Sequence, residues 1–250
     1  MTDRDAARRK FYILVLLTFA AGFVDTAGFI LLFELFTAHI TGNVVIALAD
    51  IVHRGGLGAL TAFLMLPIFA VTVALLTILV DAAGARFERW VLAGMIGLET
   101  VMLVIFAFAA ILLHPSHTSA TAPVVILVGG LGVIAMAVQN TIAGVLPKHS
   151  TVMTGNASNL VIHTVRWLRA RRLHSAALRK KSREQLRILW PTMLLFSLGG
   201  IVAAIGIVTI GNWCLLIPVP VVAAASVCAL GVPLEGSLKF EEGVGVSNED

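Results

Sequence analysis

Two acidic side chains lie inside long apolar stretches of the sequence, Asp25 in the first and Glu99 in the third. None of these stretches contains a Lys or Arg that could pair with them. An ionised carboxylate without a partner is costly in an apolar interior. Each acid is therefore protonated, hydrogen-bonded to neutral groups such as Gln139 and Asn140, or bound to a cation. Reversible protonation is available to both as a coupling device; the alternative is a neutral carboxyl that serves only packing.

A repeated tripeptide is the second pattern with chemical meaning. The two blocks, Thr41-Gly42-Asn43 and Thr154-Gly155-Asn156, lie about half a chain apart. Each is preceded by an acidic or amide residue next to a threonine, at Asp25-Thr26 and at Asn140-Thr141. Glycine interrupts a helix, while Thr and Asn cap the helix that follows. The free N–H groups of such a half-helix, predicted at Val44–Val52 after the first block, suit an anion or a polar solute. Alternatively, both blocks are only N-caps at the membrane boundary.

The elements that must position these residues are membrane-spanning helices. The 250 residues are 58% hydrophobic and 13% charged, whereas a soluble domain is about 25% charged. A helix needs about 20 apolar residues to cross a bilayer. The sequence predicts an all-α, polytopic membrane protein with about six spans, at Phe11–Leu32, Leu57–Val80, Val91–Leu113, Pro123–Leu146, Ile188–Ile210 and Trp213–Gly231.

Basic residues predict the orientation, because Lys and Arg concentrate in cytoplasmic loops. Residues 1–10 form a basic N-terminus, and ten of the 18 Lys and Arg lie between Lys148 and Arg187. Six spans with both termini inside place these segments in the cytoplasm of a multi-pass protein of the cell (inner) membrane. Residues 166–187 are predicted as a basic loop and 232–250 as an acidic tail.

The repeated tripeptide divides the spans into two related halves, 11–113 and 123–231. Three spans in each half predict inverted repeats with a helix break after spans 1 and 4, the plan of many transporters. In a competing count, 36–52 and 150–165 also cross, which gives eight spans and parallel halves. Six spans are favoured, because eight would place Arg86 and Arg89 outside.

These motifs resemble the YoaK-like family of bacterial membrane proteins. The resemblance is carried by residues 20–29, AAGFVDTAGF, by Phe36 through Thr41-Gly42-Asn43, and by 137–140 with Thr154-Gly155. It extends over roughly 11–231 and implies about six transmembrane helices with no established activity. The basic segment 167–187 is longer than the family pattern implies.

The function predicted from these features is that of a small-solute permease with a polar cavity between the halves, and not that of an enzyme. Coupling of transport to protons is a further option for this permease. The alternatives are a structural or regulatory subunit that docks a partner or anionic lipid through the basic loop, and an intramembrane enzyme acting on lipid. The expected partners are the bilayer and a small solute, with homo-oligomerisation left open; no nucleic acid, metal or cofactor is expected. The predicted substrate-binding residues are Asp25, Thr41, Gly42, Asn43, Glu99, Gln139, Asn140, Thr154, Gly155 and Asn156.

Overall fold

The computed structural model describes residues 3–53, 58–83, 88–143, 146, 150–151, 153–172 and 175–232. Within these residues every regular element is helical, as the apolar composition predicts. Short 3₁₀ helices occupy Pro115–His117 and Gly211–Leu216. The α-helices are α1 (Asp3–Leu31), α2 (Ile40–His53), α3 (Ala59–Ala83), α4 (Glu88–Leu113), α5 (Pro123–Ile142), α6 (Met153–Arg172), α7 (Ala176–Ile210) and α8 (Pro218–Ala229).

Five helical segments in the described part of the chain are long and apolar enough to cross a membrane. They are Arg4–Leu31, Ala59–Ala83, Trp90–His117, Pro123–Ile142 and Ala176–Leu216. The sixth predicted span is not one helix: Pro218 begins α8, so Trp213–Gly231 divides into a 3₁₀ turn and 12 helical residues. A proline at this position lacks the N–H that would continue the preceding helix. The described residues therefore contain five candidate spans rather than six.

Side-chain contacts show which helix ends lie together. At one end, the Thr61 hydroxyl donates to the Ala120 carbonyl (2.8 Å), and the Asn212 amide donates to the Ala110 carbonyl (2.7 Å). The start of α3, the α4–α5 connection and the end of α7 therefore share what we call the far end. At the other end, which we call the basic end, Arg9 donates to the Leu230 carbonyl (2.9 Å), which joins the start of α1 to the end of α8.

The packing pairs combine helices from the two halves of the sequence. α1 packs against α7 and α8, α5 packs against α3 and α4, and α4 also packs against α8. α2 packs beside α3, and α6 packs beside α7. α1 and α7 run toward the far end, and α3 and α5 run away from it. The core therefore depends on contacts between distant parts of the chain.

The α1–α7 contact is so close that backbone meets backbone. A Cβ on Gly22 would fall on the Phe196 carbonyl oxygen, and a Cβ on Gly199 would fall on the Phe19 carbonyl oxygen. Small residues permit this approach in the helix contacts of membrane proteins. Gly22 and Gly199 therefore serve the packing of α1 on α7.

The segment 166–187 was predicted as a loop, and that prediction is wrong for its described residues. α6 continues to Arg172 and α7 begins at Ala176, so the cations project from the ends of two helices. Arg, Lys, Leu and Ala are favourable in helices, which explains why a charged sequence stays helical here. α7 accordingly spans 35 residues, of which the apolar part is the predicted fifth span.

Candidate functional site

Asp25 caps the segment that leads into α2. Its Oδ1 accepts hydrogen bonds from the backbone N–H groups of Thr37 (2.9 Å), Ala38 (2.7 Å) and His39 (3.3 Å). Its Oδ2 accepts a bond from Nδ1 of His39 at 2.6 Å. Asp25 is therefore hydrogen-bonded, which is one of the three predicted states, but its partners are backbone N–H groups and His39 rather than Gln139 and Asn140. The backbone N–H groups just before α2 therefore already hold the protein's own carboxylate.

The chain must reverse sharply to bring residues 37–39 to Asp25. Phe33 and Glu34 adopt left-handed conformations, with φ of 57° and 68°, directly after α1 ends. Gly28 allows the returning segment to approach α1, because a Cβ there would lie 2.8 Å from Cγ2 of Thr37. Non-glycine residues rarely adopt such φ values, so this reversal is held by the contacts beyond it.

Asn43 fixes the same reversal from within α2. Its Oδ1 accepts from the N–H of Phe36 and its Nδ2 donates to the Phe36 carbonyl, both at 2.8 Å. α2 begins at Ile40, so Thr41-Gly42-Asn43 forms the first turn of the helix. The predicted break lies before this block, over residues 32–39, whereas the prediction placed the helix start at Val44. Asn43 is fully buried and belongs to the scaffold of the site.

A groove of about 520 Å³ opens beside this cap, between α1, α2 and α7. Its polar groups are Asp25, Thr26, His39 and Thr41, and its walls are aromatic. The ring centroids of Phe29 and Phe36 lie 4.9 Å apart, and the His39 ring stands edge-on to Phe196 at 5.8 Å. An apolar groove with a few converging polar groups is the usual form of a small-molecule site. Gly42 completes the lining.

His39 is the titratable group that the groove exposes, with 32% of its side chain accessible. Its hydrogen bond to the Asp25 carboxylate raises the pKa of His39 above its ordinary value, against the smaller opposing effect of burial. Nδ1 is committed to Asp25, so Nε2 is the ring nitrogen of this groove-lining residue that is left for a solute. The imidazole can donate to a solute or take up a proton near neutral pH.

A second polar cluster joins α5 to the start of α6. Gln139 donates from Nε2 to the Leu17 carbonyl (3.0 Å) and to Oγ of Ser150 (2.7 Å). Asn140 accepts the Thr151 hydroxyl at 2.6 Å. These bonds repeat the Asp25 arrangement, since both link the end of one helix to the segment before the next. α6 also begins one residue before its Thr-Gly-Asn block, at Met153.

The predicted site residues do not converge on one cavity. Asp25, Thr41 and Gly42 line the groove, whereas Glu99, Gln139, Asn140, Thr154, Gly155 and Asn156 are not among its lining residues. Leu17, which Gln139 contacts, precedes Asp25 by eight residues of α1, a rise of about 12 Å. Thr154 is exposed and Asn156 is buried, as Thr41 and Asn43 are in the first block. Glu99 is buried in α4.

Three residues of the groove were not predicted from the sequence: His39, Phe36 and Phe196. His39 lies within the same short block as Thr41, and its position beside a predicted helix start is the signal that was available. Phe196 is remote in sequence and reaches the groove only through the α1–α7 contact. Within the described residues, no group of three or more His, Cys, Asp or Glu side chains could hold a metal ion.

The buried polar clusters and long apolar helices define a multi-pass membrane protein, and the comparisons agree. The family model "Protein of unknown function (DUF1275)" matches residues 13–228, and the chain belongs to this family. A relative, the UPF0700 transmembrane protein YoaK of Bacillus subtilis (strain 168), is 31% identical over 162 residues, covering 62% of this chain and 68% of the relative. No solved structure matches the chain. The predicted resemblance is confirmed.

Proposed function

We propose that this protein is a small-solute permease of the inner membrane and that the groove beside Asp25 and His39 is its solute site. The observation that carries the proposal is the groove itself, about 520 Å³, lined by Asp25, Thr41 and Gly42 within a largely apolar helical protein. The capped chain reversal fixes Asp25 and His39, so the groove is preorganised. Its aromatic walls favour a solute with an aromatic or apolar body and a hydrogen-bonding group that reaches Nε2 of His39.

An inverted repeat is the architecture that we propose for the permease. Exchanging α1–α4 for α5–α8 converts the α1–α7 pair into α5–α3 and the α1–α8 pair into α5–α4. The α2–α3 pair likewise becomes α6–α7. α1, α3 and α4 alternate in direction, and α5, α7 and α8 repeat that alternation in the opposite sense. With α8 as a short sixth crossing, both termini face the cytoplasm, and the two helix breaks face opposite sides.

The test is uptake by proteoliposomes of individually radiolabelled aromatic amino acids, aromatic carboxylates and nucleosides. Thr41→Trp fills the groove from an exposed position, so uptake of an active solute should fall at least tenfold. Val45→Trp is the matched control, because Val45 is 68% exposed one turn further along α2 and does not line the groove. Uptake no greater than that of empty liposomes for every solute, or equal uptake by both variants, would contradict the proposal.

A second candidate function, docking of anionic lipid, is favoured by the exposed face of the α6–α7 hairpin. α6 exposes Val161, Val165 and Leu168 at spacings of four and three residues, with the exposed Arg166 and Arg169 beside them. The first turns of α7 add exposed cations at Arg179, Lys180, Lys181, Arg183 and Arg187. An apolar stripe flanked by cations suits the surface of an anionic leaflet, at about 1 kcal/mol per cation.

Lipid retention distinguishes this candidate from the first. Arg166→Gln with Arg169→Gln should reduce co-purified phosphatidylglycerol relative to phosphatidylcholine, measured by lipid mass spectrometry. Arg8→Gln, at the other end of the sequence, controls for the loss of charge alone. Unchanged lipid ratios in the double variant would remove the hairpin from lipid binding.

A further inference from the structure

Glu99 is a buried carboxyl that the groove does not use. It is fully inaccessible within α4, and neither of its oxygens has a hydrogen-bond partner among the described residues. An ionised carboxylate in this position would lack both solvent and a compensating donor. The neutral acid carries one O–H donor that still requires an acceptor.

The register of α4 and α5 identifies the residue that faces Glu99. The two helices run in opposite directions, since α4 ends and α5 begins at the far end. They meet where a Cβ on Gly132 would lie 3.2 Å from the ring of Phe106. Glu99 precedes Phe106 by seven residues, and Gln139 follows Gly132 by seven. Two helical turns return a side chain to the same face, so Glu99 and Gln139 face each other about 10.5 Å closer to the basic end.

Gln139 has a free acceptor at this position. Its Nε2 donates to the Leu17 carbonyl, a group that only accepts, so the orientation of the amide is fixed. Its Oε1 is buried and has no partner among the described residues. The O–H of neutral Glu99 on α4, which needs an acceptor, thus faces Oε1 of Gln139 on α5, which needs a donor.

Among the described residues, the elements packed against α4 supply no positive charge to compensate an ionised Glu99. α5 contains no charged residue, and the titratable groups of α8 and of the 3₁₀ helix Gly211–Leu216 are the thiols of Cys228 and Cys214. α3 approaches α4 at few points, and its Asp81 is exposed in the last turn. The facing amide of Gln139 is the polar group best placed to receive the proton of the acid.

We propose that Glu99 is a proton-binding site whose acidic O–H donates to Oε1 of Gln139, so that protonation links α4 to the helix break before α6. The link reaches the break through the bond from Gln139 to Ser150. When the proton is lost to bulk water, the carboxylate becomes an acceptor and requires the Nε2 donor of Gln139. The amide must then turn and release Leu17 and Ser150, which frees the start of α6. This proton-driven switch deepens the proposed permease, and only its role in driving uptake rests on that function.

Infrared spectra of the purified wild type and its variants at neutral pH, compared as differences between the proteins, test the site without any solute. The carbonyl-stretch band of a protonated carboxylic acid should be present in the wild type and absent in Glu99→Gln. Gln139→Leu should retain the band and move it to higher frequency, because the hydrogen bond is lost. Glu99→Asp, which shortens the reach by one methylene, should move the band in the same direction and does not depend on the fold of the Gln139 variant.

Asp25→Asn is the control, because the Asp25 carboxylate accepts backbone hydrogen bonds and should contribute no such band. A band that survives Glu99→Gln would overturn the proton site, and a frequency unchanged in both Gln139→Leu and Glu99→Asp would overturn the link to Gln139. If the spectra behave as expected while proteoliposomes take up no solute, the proton site stands and the permease falls. The two proposals therefore fail separately.

Discussion

Asp25 stabilises the fold before it does anything else, since it satisfies three backbone N–H groups and one imidazole. Asp25→Ala leaves these buried donors without an acceptor and should lower the free energy of unfolding by roughly 2–5 kcal/mol. Asp25→Asn keeps one acceptor oxygen and should cost less. The unfolding midpoint in detergent measures both, with Thr41→Ala, an exposed neighbour, as a control expected to match the wild type. An unperturbed midpoint for Asp25→Ala would show that the cap is dispensable.

The proton affinity of His39 depends on the same carboxylate. Since the hydrogen bond to Asp25 raises the pKa of His39, Asp25→Asn should lower that pKa toward the ordinary value. The imidazolium would then lose its proton at a lower pH than in the wild type. NMR titration of protein with ¹⁵N-labelled histidine follows the change. A midpoint that stays constant or rises in the variant would contradict the assigned pairing.

A solute that uses Nε2 of His39 as a hydrogen-bond partner should make uptake depend on pH. Because Asp25→Asn lowers the pKa of His39, the pH at which uptake changes should fall in that variant as well. The measurement is the pH profile of uptake for an active solute in proteoliposomes with no proton gradient. Profiles with the same midpoint in the two proteins would exclude His39 from solute binding.

At the scale of helices, the α1–α7 contact makes the sharpest prediction. Gly199→Ala drives a methyl group into the backbone of α1, so it should cost about 1–3 kcal/mol through overpacking. Gly94→Ala in α4 is the matched control, because nothing lies within 4 Å of its added Cβ. That substitution should be neutral or stabilising by up to about 1 kcal/mol, since alanine favours the helix. Equal unfolding midpoints for the two variants would show that the methyl group added at Gly199 costs no stability, and would contradict the close α1–α7 contact.

The sequence predicted the long helices well, because length and hydropathy identify a spanning helix independently of its neighbours. It identified Asp25 as a buried acid but not its partners, since the reversal at Phe33 and Glu34 uses residues that give no turn signal. Pro218 marks the start of α8, but the count of spans from hydropathy did not take this proline into account. The register of Glu99 with Gln139 required the packing of α4 on α5, which spacing along the chain does not contain.

At the scale of the whole molecule, the proposed topology predicts which connections a reagent reaches. With Cys214 and Cys228 replaced by alanine, a cysteine at Thr121 should react with a membrane-impermeant maleimide in intact cells. A cysteine at Ser175, in the α6–α7 connection, should react only after the cells are opened. The labelled fraction, read by gel shift, measures both. Reaction of both positions from the same side would rule out the three-plus-three inverted arrangement.

The glycine contact between α1 and α7 constrains any motion of the molecule. Because the two backbones touch, no side chains lie between the helices that could deform, so the pair should move as one rigid unit. That rigid pair takes one helix from each half of the sequence. In the proposed permease, the bodies that move against each other would therefore combine helices from both halves of the sequence, and the hinge would not lie in the α4–α5 connection between the halves.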